Sequence, residues 1–98
     1  MKLRLSSRAA ADIEKAVSWW HANREASPQL LEAELFDARH RLLLAPRIGV
    51  LVPRPKGEVR RLFLPRSRYW LIYKVVPDEL LILRLWHASR GQQPRLGR

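Results

Sequence analysis

The sequence predicts an α+β fold of order β-α-α-β-β-β, a helical hairpin packed on a small antiparallel sheet. Three observations predict it. Two apolar stripes at helical spacing fill the first half of the chain, three β-rich runs separated by turn residues fill positions 58–88, and 98 residues suit one domain around one core.

Leu3 and Leu5 alternate with Lys2 and Arg4, the pattern of a short half-buried strand, and Ser6-Ser7 can cap the helix that follows. In that helix Ala9, Ile13, Ala16, Val17 and Trp20 fall on one stripe, with Asp12 and Glu14 expected to favour its N-terminus. Ser27-Pro28 reads as an N-cap followed by proline at the first helical position, and Leu31, Leu35, Ala38 and Leu42 form the second stripe. Pro46 and Gly49 end this helix, and positions 50–57, interrupted by Pro53 and Pro55, are expected to be a basic, proline-stiffened loop. Val59–Leu64, Tyr69–Val76 and Leu80–Trp86 then form a meander, joined by turns at Pro65-Arg66-Ser67 and Pro77-Asp78-Glu79. The first strand is expected at a sheet edge or beside the last strand. The tail, 91–98, is expected to fray, and the sheet face away from the helices to be free for binding.

Composition narrows the chemistry. With no cysteine there is no disulfide frame, zinc ribbon, iron–sulfur cluster or thiol nucleophile. The first residues carry no apolar signal segment and no run is long enough to span a bilayer, so a cytoplasmic protein without a membrane partner is expected. Hydrophobic residues make up 47% and charged residues 29%, a globular balance, yet the net charge is +10. That charge is lopsided. Residues 1–40 hold six basic and six acidic side chains, whereas 41–98 hold thirteen Lys or Arg against Glu58, Asp78 and Glu79. Such a surface attracts a polyanion or an acidic protein.

Alternation along the third run puts Arg61 and Phe63 on one face and Arg60, Leu62 and Leu64 on the other, so one of the paired arginines points to the core side. Arg84 stands among aliphatics and must face solvent, a ligand or a carboxylate; Lys74 is an exposed alternate or part of a binding surface. Tyr69, Trp70, Tyr73 and Trp86 interleave with the arginines, as stacking faces for single-stranded nucleic acid or as core. Adjacent Trp19 and Trp20 cannot share a helix face, so one packs inward and the other is left for the flank of the helix or a partner protein. His87 and Arg90 close the last strand and could act as proton donor and phosphate clamp in RNA cleavage. With His21 and His40 on other elements, no metal triad is expected, and neither a nucleophile elbow nor a phosphate loop is present. No cofactor is expected.

The ordered runs Val59-Arg60-Arg61-Leu62-Phe63-Leu64, Arg68-Tyr69-Trp70-Leu71-Ile72-Tyr73 and Ile82–Arg90, with Ala10-Ala11-Asp12-Ile13 and Pro46-Arg47-Ile48-Gly49, resemble the RelE/ParE superfamily of type II toxin–antitoxin toxins. The resemblance covers nearly the whole chain. A RelE-like member would be a ribosome-dependent messenger-RNA endoribonuclease, and the residues available for that are Arg61, His87 and Arg90. Phe63, Trp70 and Leu96 stand where that branch has a second basic residue, an arginine and a tyrosine. A ParE-like member, which the aliphatic strand ending His-x-x-Arg resembles, would inhibit DNA gyrase by binding. The resemblance then implies target contacts at Arg61, Arg68, Tyr69, Trp70, Arg84, His87 and Arg90. It also implies a cognate antitoxin encoded alongside, whose acidic segment would meet Trp19, Leu31, Leu35, Arg60 and Lys74 in a hetero-oligomer.

Overall fold

The computed structural model describes residues 1–90, so the expected frayed tail lies outside the described residues. The chain runs β1 (Lys2–Leu5), α1 (Ser7–Asn23), α2 (Leu30–Leu44), β2 (Val50–Val52), β3 (Glu58–Leu64), β4 (Tyr69–Val76) and β5 (Glu79–His87), then a 3-10 turn at Ala88–Arg90. The strands form one sheet in the order β1-β5-β4-β3-β2. Both helices cover one of its faces.

Local chemistry starts α1 as expected. The Ser6 hydroxyl accepts the Ala9 N–H at 3.0 Å and donates to the Leu83 carbonyl at 2.9 Å, so the cap also ties the helix to β5. Asp12 lies past the first turn and serves the sheet, not the helix terminus. The second helix begins later than Ser27-Pro28 predicts, with Gln29 at its N-cap and no capping side chain. Ser27 is otherwise engaged: its carbonyl accepts the Trp20 indole N–H at 2.8 Å, which holds 27–29 as a turn at the base of the hairpin.

The α+β fold class holds, and the first strand lies at the sheet edge beside the last strand as expected; two details of the sheet differ. It is mixed, because β1 pairs in parallel with β5, Leu3 opposite Leu80, while the other pairs are antiparallel. And the proline-rich stretch contains a strand, since Val50–Val52 pairs with Arg61–Val59 before Pro53 ends it. An edge strand bonds on one side only, so prolines beside it limit its length without preventing it.

The core lies between the helices and one sheet face. Ala9, Ala16, Trp20, Leu31, Ala38 and Leu42 meet Leu62, Leu64, Leu71, Tyr73, Val75, Leu80, Ile82 and Leu85. Leu31, expected to meet an antitoxin, is 0% exposed and is a packing residue of this core. Among the described residues no helix is long and apolar enough to cross a membrane.

Buried Tyr73 also fixes the loop between α2 and β2. Its hydroxyl donates to the Pro46 carbonyl at 2.8 Å and accepts the Gly49 N–H at 2.9 Å, while burial raises its pKa. A Cβ at Gly49 would stand 2.7 Å from both that hydroxyl and the Arg61 carbonyl, so only glycine lets the loop approach. Replacing Tyr73 with Phe strands a buried N–H and a part-buried carbonyl, a loss of about 1–3 kcal/mol. Thermal denaturation should show Tyr73→Phe melting lower by roughly 4–8 °C for each kcal/mol lost. An unchanged melting temperature would refute the latch.

Candidate functional site

The site follows from alternation along β3. Leu62 and Leu64 face the helices, so Arg60 and Glu58 share their side, while Val59, Arg61 and Phe63 face the open side. On the helix side Arg60 is engaged through two of its nitrogens: Nε donates to Glu58 at 2.7 Å, and Nη1 to the carbonyls of Gly49 and Arg47 at 2.9 and 3.3 Å. Arg47 bonds the same carboxylate at 2.8 Å. Glu58 is consequently held below the usual carboxylate range, first by its hydrogen bond from Arg60 and then by that from Arg47. Arg60, expected at the antitoxin interface, is thus spent on internal bonds that tie β3 to the loop before β2.

On the open face Arg61 has no carboxylate partner among the described residues. Its Cζ lies 4.4 Å from the centroid of Trp70, whose ring meets Phe63 at 4.8 Å. A guanidinium over indole gains about 0.5–1 kcal/mol at an exposed site and stays able to bind anions from its free edge. Ile72, on this face and outside the helix-side cluster, is 0% exposed, so long and aromatic neighbours pave the surface around it. Lys74, two positions along β4, shares this face with Ile72 and completes a cationic margin at the β3–β4 pair.

The remaining predicted residues lie elsewhere. Ile72 opposes Arg84 while Tyr73 opposes Ile82, a bulge that leaves Leu83 as the extra residue and re-aims the strand. Arg84 thereby reaches Asp12 of α1, with bonds of 2.7 and 3.2 Å, and the same carboxylate accepts the Leu85 N–H at 3.0 Å. Of the three options open for Arg84, the structure takes the carboxylate. Its pKa is raised, chiefly by that bond to Asp12.

Tyr69 and His87 face each other across β4 and β5, their rings edge to face at 4.8 Å. They line a cleft of about 540 Å³ between α1 and the end of β5, together with Asp12, Trp19, Arg24 and Arg84. The His87 Nδ1 accepts the Ser89 N–H at 3.1 Å and lies 2.7 Å from the Ser89 hydroxyl, which assigns the proton of the neutral ring to Nε2. His87 therefore sits on the helix side and Arg61 on the open side: the structure separates them. Arg90 belongs to the 3-10 turn, and its side chain lies outside the described residues.

Arg66 and Arg68 stand exposed at the β3–β4 turn, with no ion pair among the described residues. Trp20 is buried, whereas Trp19 is 46% exposed with the Arg24 guanidinium 5.1 Å from its ring. Leu35 borders an apolar groove of about 510 Å³ between the helices and β1, beside Leu5, Ile13, Val17 and Phe36. Sequence reasoning missed the residues that sort the charges, namely Asp12, Glu34, Glu58 and Glu79. Asp12, Glu34 and Glu79 act on groups distant in sequence, where spacing carries no signal; Glu58 meets Arg60 two positions along the same strand, which alternation could have shown. Among the described residues no cluster of three or more His, Asp or Glu could hold a metal ion.

The fold has relatives. It is similar to a chain of the chromosomal ParDE TA system from P. aeruginosa, with TM-score 0.71 and 22% identity over 89% of this chain and 95% of that one. It is also similar to a chain of the intact E. coli RelBE toxin–antitoxin complex (TM-score 0.52, 20% identity, 88% and 94% covered). The isolated E. coli RelE toxin gives TM-score 0.54 at 21% identity, covering 92% and 86%. Comparison with curated protein sequences returns no match. The architecture is therefore that of the RelE/ParE toxins. Within that class the chain belongs to the family described as the ParE toxin of the type II toxin–antitoxin system parDE, whose family model matches residues 3–91.

Glu79 is also held below the usual range, first by its hydrogen bond from Arg4. Folded values below the unfolded one, about 4.3 for glutamate, mean that both carboxylates stabilise the fold fully above that pH. The contribution disappears as pH falls through the folded values. Carboxyl carbon titration by NMR should place both midpoints under that of an unfolded glutamate; midpoints at or above it would contradict the pairing.

Proposed function

We propose that this toxin arrests growth in the cytoplasm by binding DNA gyrase stoichiometrically, breaking no bond itself. The observation that carries the reading is the separation of Arg61 from His87 by the thickness of the sheet. Cleavage of RNA needs a proton-transfer group and a phosphate clamp converging on one phosphodiester, within about 3 Å of the reacting atoms. The open face instead offers Arg61 on Trp70, with Lys74 to one side and Arg66 and Arg68 at the turn, a cationic and aromatic surface suited to an acidic target. Tyr69, Arg84 and His87 form the wall between this surface and α1.

Neutralisation fits the opposite side. An antitoxin encoded alongside would lay an acidic, amphipathic segment in the groove beside Leu35 and Phe36, the latter 63% exposed, and extend toward Trp19. Ordering that segment against a +10 chain offsets the net charge and covers the exposed apolar side chains.

In a supercoiling assay with purified gyrase, the wild type should inhibit. Arg61→Ala should raise the half-inhibitory concentration about tenfold, the effect of one contact worth 1.4 kcal/mol, and His87→Ala should change it less than about twofold. Cleavage of message in a translating extract, abolished by His87→Ala, would overturn the proposal in favour of the ribosome-dependent endoribonuclease.

A further inference from the structure

We propose that Glu34 is a positioning residue for target recognition, locking the β3–β4 turn so that Arg66 and Arg68 are presented as a rigid pair of cations. The inference rests on the gyrase reading above. Glu34 sits on α2, 8% exposed, and reaches out of its own helix to a turn more than thirty positions away. Its Oε2 accepts the Arg66 N–H and its Oε1 the Ser67 N–H, each at 2.8 Å.

A buried carboxylate is costly unless its oxygens are matched, and here two backbone dipoles match them. The arrangement has a consequence for charge. The carboxylate is spent on N–H groups and forms no ion pair with either arginine, so both guanidinium groups remain exposed and unneutralised among the described residues.

The turn is tied down on its other sides as well. Arg68 adopts a left-handed backbone, φ 68°, unusual for a residue with a side chain, and its N–H donates to the Leu64 carbonyl at 2.7 Å. The Arg68 carbonyl accepts the Ala88 N–H at 2.9 Å. The turn is thus bonded to α2, to β3 and to the end of β5. A free hairpin tip carrying two arginines would have to be ordered when its target arrives, whereas this one is ordered beforehand, and such preorganisation raises affinity without adding a contact.

The test uses Glu34→Gln, which keeps the side-chain volume and one acceptor oxygen but cannot accept both N–H groups. Amide exchange at Arg66 and Ser67 should accelerate at least about tenfold, with Leu62 and Leu71 unchanged. The half-inhibitory concentration for purified gyrase should rise about fivefold with the salt dependence of inhibition retained, because no cation is lost. Arg66→Ala and Arg68→Ala, on the exposed tip, should weaken inhibition and also flatten its salt dependence. Glu34→Gln inhibiting as well as wild type, exchange accelerating throughout the chain, or tip variants indistinguishable from wild type would each overturn the inference. A wild type inert towards gyrase would remove the functional reading and this inference together; a wild type that inhibits, matched by Glu34→Gln, removes only the inference.

Discussion

Everything in this molecule that bears on binding descends from the two-residue period of β3. Neighbouring arginines on a strand cannot share a surface, so Arg60 and Arg61 meet opposite environments. Arg60 turns to the helix side, where a guanidinium is tolerable only if matched, and Glu58 with the Gly49 and Arg47 carbonyls matches it. Arg61 turns to the side that no helix covers and lies on Trp70, keeping its charge available. A shift of one residue in the β3–β4 register would exchange the two and bury the wrong cation.

The same economy governs the rest of the charge. The basic half of the chain owns few carboxylates, and the fold places them where a cation would otherwise be buried or would burden the sheet. Glu58 bridges Arg60 and Arg47, Glu79 takes Arg4, and Asp12, from the balanced half, takes Arg84. Of the cations that form no ion pair among the described residues, Arg61 and Lys74 lie on the open face and Arg66 and Arg68 at the β3–β4 turn, while Lys2, Arg8, Lys15, Arg24, Arg39, Arg41, Arg54 and Lys56 are distributed over β1, the helices and the loops.

Periodicity made much of the fold legible, because it is a local property: both helices, the three long strands and the buried stripes can be read without knowing what pairs with what. Pairing is not local. The parallel partnership of β1 with β5 joins residues nearly eighty positions apart, and the three-residue β2 is too short for alternation to show beside Pro53 and Pro55. The start of α2 was obscured because a tertiary bond, from the Trp20 indole to the Ser27 carbonyl, competes with the local signal of Ser-Pro. At the site, alternation revealed the opposite fates of Arg60 and Arg61. It could not reveal that Arg84 meets Asp12, 72 positions away, or that His87 looks toward α1, since a bulge and a helix crossing decide both.

The central claim is that the target is held on the sheet face opposite the helices. Hydrogen exchange on the chain alone and mixed with purified gyrase tests it most directly. Protection should concentrate in residues 59–76, through β3, its turn and β4, and leave α1 at its free-state rate. Protection confined to α1 and residues 84–89 would place the target in the histidine cleft and contradict the account.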